Sequence, residues 1–177
     1  MSLEKAEALQ GINVKSLTSF LALAGVAMFL PFFIHIQWIT GPIINAVLIL
    51  VLFLSGIRSA VIVALVPSLM AMSGGLLPIV LSPMVPFIMI SNIIYIFFID
   101  YIYHRSKTEN GGYWAGILTG SVVKFLFLLL SITALTKLIT KKELTLKIAQ
   151  ILSWPQLATA IAGGFLAWVI LKWLRRI

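Results

Sequence analysis

Cysteine is absent from the 177-residue chain, and charge is scarce. Without cysteine there can be no disulfide, no thiol nucleophile and no thiolate-bound metal. Histidine occurs only at His35 and His104, so a histidine-rich zinc or transition-metal site lacks ligands. Charged residues make up 10% of the sequence, and the 5 acidic side chains are outnumbered by 13 Lys and Arg. The apolar runs hold no glutamate, and their one aspartate, Asp100, falls near a run's end. Paired carboxylates for acid–base work are therefore missing. Ser68, Ser91 and Ser121 have no base partner at a recognisable spacing. No phosphate loop is present either, so any ATP hydrolysis must come from other chains. These gaps point away from an enzyme, and no cofactor or metal is expected.

Apolar surface is what the chain has in excess. It is 61% hydrophobic, with a mean hydropathy of +1.11. A soluble domain does not carry that balance; an all-α membrane protein spanning the bilayer several times does. Residues 1–177 leave room for little beyond spans and short loops, so one integral membrane domain is expected. The net charge of +8 is spread between apolar runs, where Lys and Arg set topology and meet anionic lipid. Nucleic acid is not an expected partner.

Six spans are expected, packed as a compact bundle, at about 16–34, 42–56, 59–73, 83–103, 112–135 and 154–174. The second and third are short for a bilayer, and the break between them at Gly56 to Ser59 is the least firmly marked. Residues 1–15 are polar, with Glu4, Lys5 and Glu7, and do not read as a secretory signal. With that segment inside, Lys5, Lys15, Arg58, Arg105, Lys107, Lys172, Arg175 and Arg176 all lie on the inner side. The positive-inside rule thus places both termini in the cytoplasm of a multi-pass cell-membrane protein, although Lys137, Lys141, Lys142 and Lys147 run against it. The segment around those lysines has Leu144, Ile148, Ile151 and Leu152 at helical spacing, as in a helix lying in the outer interface. Asp100 is expected to meet Arg105 or the cytoplasmic surface.

The fifth span carries the main chemical signal. Gly112, Gly116 and Gly120 recur every four residues and Lys124 takes the next step. Residues four apart share a helix face, and glycines there admit a second helix closely. Lys124 lies about 12 residues in, about 18 Å deep and near mid-bilayer. A charge at that depth must face protein, water or a ligand. It is either a structural lysine or the counter-ion of an anionic solute. Asn92 in span four falls at similar depth, while Asn45 and Gln156 fall nearer the outer surface. These four, with Thr159, Trp38 and His35, are the candidate substrate-binding residues. A helix–helix hydrogen bond for Asn92, an interfacial belt role for Trp38 and a solvated loop position for His35 are the competing readings.

Taken together, the six short spans, ITGPIINAVL, the Gly74-Gly75 turn, PMVPFIMISN and PQLATAIAGG resemble the substrate-binding (S) components of energy-coupling factor transporters. The likeness runs from the first span to the last. It implies capture of a vitamin or related small molecule, an anionic one if Lys124 is its counter-ion, from the outside. It also implies a transmembrane coupling protein with two ATPase subunits as partners. The family's Ala-xxx-Ala docking motif has no strict counterpart in span one, where Thr18 and Ala22 are four apart. Thr18 and Ala22, with the Ala60, Ala64 and Ser68 series of span three, are the expected docking faces. A six-span structural protein of the rod-shape-determining type, with no solute cavity, is the alternative.

Overall fold

The computed structural model describes residues 14–75, 79–136 and 154–177. Six α-helices occur among them: α1 Val14–Phe33, α2 Gln37–Ser55, α3 Ile57–Ser73, α4 Val85–Arg105, α5 Glu109–Thr136 and α6 Trp154–Trp173. A 3-10 turn, Ile79–Met84, leads into α4, and the described residues contain no strand. Four helical stretches are long and apolar enough to cross a membrane: Gln37–Ser55, Ser82–Arg105, Glu109–Leu135 and Trp154–Trp173. The described apolar stretches Thr18–Phe33 and Ile57–Ser73 are shorter. The N-terminal segment before Val14 and the expected interfacial helix around Leu144–Leu152 lie outside the described residues.

The centre of the fold is α2. Every residue from Ile44 to Leu52 is buried. A helix apolar on all sides needs cover on all sides, and α1, α3, α4 and α6 all pack against it. Its end is fixed by Gly56, whose φ of 84° suits a residue without a Cβ. The Gly56 N–H closes the last turn of α2 onto Leu52 O. The chain then restarts at once as α3, so the break at Gly56 separates two helices.

Glycine sets how closely α4 and α5 approach. A Cβ on Gly116 would sit 3.1 Å from Ile99 Cα, and one on Gly120 would sit 3.0 Å from Tyr95 O. The four-residue glycine row therefore lies directly on the α4 backbone, as small-xxx-small packing requires. Two tyrosines then tie this pair to α6. Tyr95 donates from its hydroxyl to Ala160 O at 2.8 Å, and Tyr113 donates to Gly164 O at 2.7 Å. Large apolar side chains such as Phe33, Leu130 and Phe165 remain exposed around the outside, as expected where hydrocarbon is the solvent.

Asp100 does not pair with Arg105. Its carboxylate lies 3.4 Å from His104 Nδ1, one helical turn on, while Arg105 stacks over the Tyr101 ring at 4.7 Å. The i,i+4 spacing puts His104, not Arg105, on the Asp100 face.

Candidate functional site

Lys124 is buried to 2% exposure. Its Nζ donates to Asn45 Oδ1 and to Asn92 Oδ1, each at 2.8 Å. Three helices meet at this point: α5 supplies the lysine, α2 and α4 the two amides. The Tyr95 ring lies beneath, with Nζ 5.2 Å from its centroid. Both amides are oriented by backbone carbonyls. Asn45 Nδ2 donates to Gly41 O at 2.9 Å, and Asn92 Nδ2 donates to Ala64 O at 3.3 Å. Each side-chain oxygen is thereby turned to the ammonium. Among the described residues no carboxylate lies within ion-pairing distance of Lys124. Its partners, two amide oxygens and a ring face, carry no formal charge.

The glycine contacts explain why these groups converge. The α4–α5 approach brings Asn92 within reach of Lys124. On the other side, a Cβ on Gly163 would fall 2.5 Å from Asn45 Cβ and 2.7 Å from Pro42 O. The α6 backbone thus supports the α2 turn that carries Asn45.

A cavity of about 100 Å³ adjoins the lysine. Its polar lining includes Lys124, Asn45, Asn92, Ser68 and Gln156. Pro31, Ile44, Pro67, Ala71 and Ile88 supply an apolar wall. Four of the candidate residues named from the sequence therefore line one space. The other three do not. Trp38 is 61% exposed and outside the lining. His35 is exposed, and its Nε2 lies 2.6 Å from Gly74 O, joining the α1–α2 connection to the end of α3. Thr159 is buried, donates to Gln156 O at 3.3 Å and packs its side chain on Gly41. It braces the α2–α6 contact.

Depth is corrected for Asn45. The helix begins at Gln37 instead of Pro42, because Pro42 is taken into α2. Asn45 then lies about 12 Å along the helix, level with the lysine it bonds.

The two small faces separate. Thr18 and Ala22 are exposed. Ala60, Ala64 and Ser68 are buried within the chain's own bundle, so that face is not open to a helix from outside. Ser68 also lines the cavity, and its buried Oγ has no hydrogen-bond partner among the described residues. Its place in the site was hidden by the small-residue spacing, which does not tell an inward face from an outward one. Comparison with protein-family models, characterised proteins and solved structures finds no match for the chain.

Proposed function

We propose that the chain is a membrane-embedded substrate-binding subunit of the energy-coupling factor type. On this reading all six helices span the membrane, with both termini in the cytoplasm. It captures a small molecule from outside. It hands the molecule on while docked to a transmembrane coupling protein driven by two ATPase subunits. The carrying observation is the buried amino group of Lys124, with no described carboxylate beside it and a cavity next to it. Intramembrane charges of this kind mark solute pathways. Polar groups converging in an apolar wall are what a small-molecule site requires. The cavity of about 100 Å³ is below the roughly 300–1,000 Å³ of drug-sized sites, so a vitamin would have to widen it and a smaller solute would not.

The paired amides favour one rival. Asn45 and Asn92 give Lys124 two hydrogen bonds without a ligand, as a purely structural lysine in a six-span scaffold protein would need. The deciding experiment purifies the full chain in native lipid and identifies co-purifying small molecules by mass spectrometry. Recovery of one stoichiometric solute, retained by the wild type and lost from Lys124→Ala, supports the binding subunit. Its absence, with a melting temperature that falls in Lys124→Ala, supports the scaffold.

A further inference from the structure

The donors and acceptors around the cavity restrict what can fill it. An ammonium has three donors, and Lys124 spends two on Asn45 and Asn92. The amide nitrogens of Asn45 and Asn92 each give one N–H to a backbone carbonyl, Gly41 O and Ala64 O, and are turned away from the ammonium. Flipping either amide would set an NH₂ group against the ammonium and an oxygen against a carbonyl, so neither can turn its donors inward. Ser68 is 5% exposed, lines the same cavity, and among the described residues its Oγ has no partner. Two unspent donors of the polar corner therefore adjoin the space, the third N–H of Lys124 and the O–H of Ser68, and the Gln156 amide lies elsewhere in the lining. One positive charge accompanies them.

Size limits the rest. An engineered cavity of about 150 Å³ holds benzene, with six heavy atoms. The cavity here, at about 100 Å³, scales to roughly four, so a five-atom acid has to widen it slightly. Beyond the polar corner its wall is Pro31, Ile44, Ala71 and Ile88, which suits a short hydrocarbon.

Resting on the reading of this cavity as a solute site, we propose that its occupant is a compact monocarboxylate. Its oxygens accept from Lys124 Nζ and Ser68 Oγ, and its short apolar end lies against Ile44 and Ile88. One carboxylate cancels the one ammonium. A dianion leaves a charge uncompensated among apolar side chains, and a neutral amide leaves the ammonium as it was. A fatty acid from the bilayer shares the carboxylate, and chain length separates it from a free short acid.

The test is titration calorimetry on the full chain in phosphatidylcholine nanodiscs at fixed ionic strength. The probes are propionate, propionamide, malonate and palmitate. Propionate is expected to bind, with propionamide and malonate at least tenfold weaker and palmitate weaker than propionate. Ser68→Ala should weaken propionate about tenfold, the scale of one hydrogen bond to a charged acceptor. Equal binding of propionamide or malonate overturns the charge assignment. Tighter palmitate overturns the compact occupant in favour of a lipid-derived acid. An unchanged affinity in Ser68→Ala overturns the role of that hydroxyl. If no carboxylate binds but the co-purifying molecule does, this inference fails and the binding-subunit reading stands. If neither binds, both fail.

Discussion

Replacing Asn92 with aspartate changes almost no volume and puts a carboxylate where Oδ1 now lies, 2.8 Å from Lys124 Nζ. The ammonium would then own an internal counter-ion. Opposite charges about 4 Å apart attract by about 4 kcal/mol at an effective dielectric near 20. Burying the new carboxylate costs several kcal/mol. Trading the long Asn92–Ala64 bond of 3.3 Å for a carboxylate oxygen facing that carbonyl costs about 1–3 kcal/mol. These terms offset, so stability should stay within about 2 kcal/mol of wild type. Binding should not survive as well. An incoming anion would meet a neutralised site and lose about 2–5 kcal/mol, the scale for one partner of a buried charge pair. That is roughly a 30- to 4,000-fold loss of affinity. The assay pairs dye-free thermal unfolding with calorimetry against the same anion. Full affinity in Asn92→Asp would refute the reasoning. So would a destabilisation of about 3–5 kcal/mol, since that is the penalty of an unpaired buried charge.

Three further outcomes follow from the packing and the basic-residue pattern. Gly163→Ala should destabilise by about 1–3 kcal/mol and weaken ligand binding, because its Cβ meets Asn45 Cβ and backbone atoms of Pro42 and Ala46. Gly25→Ala, with nothing within 4 Å, is the control and should be neutral or slightly stabilising in thermal unfolding. Ala22→Leu should reduce uptake in cells and leave binding intact, since Ala22 is exposed. Ala64→Leu should instead lower the melting temperature, because Ala64 is fully buried; equal behaviour of the two would reject the division between docking and packing faces. Tags at both ends should be protected from protease in intact cells; cleavage of either would reverse the orientation.

Helix order and type were legible because apolar runs and their punctuation are local. The Gly74-Gly75 pair could be read directly as an end, whereas the break at Gly56 was weakly marked and became clear only with its φ of 84°. The glycine row of α5, with Lys124 on the same face, followed from helical period alone. Other features depend on neighbours that spacing does not name. Pro42 read as the start of a helix, yet one proline is tolerated inside α2 at the loss of one hydrogen bond, and that moved Asn45 to the depth of Lys124. The Ala60–Ala64–Ser68 series has the same period whether it faces a partner or the core. Burial by α2 and α4 decided the matter and gave the cavity its free hydroxyl. His35, Trp38 and Thr159 were grouped by nearness to the outer surface, which does not distinguish a loop clasp, an exposed ring or a packed methyl from a ligand contact.

The central claim is that Lys124 carries a charge awaiting an anionic ligand. The most direct test measures the affinity of Lys124→Ala and Lys124→Gln for the co-purifying solute, alongside their melting temperatures. A ligand role predicts both variants folded and weakened by about 2–5 kcal/mol, glutamine included, since an amide supplies hydrogen bonds but not charge. Wild-type affinity in Lys124→Ala, with a lowered melting temperature, would contradict it and leave the lysine a structural residue.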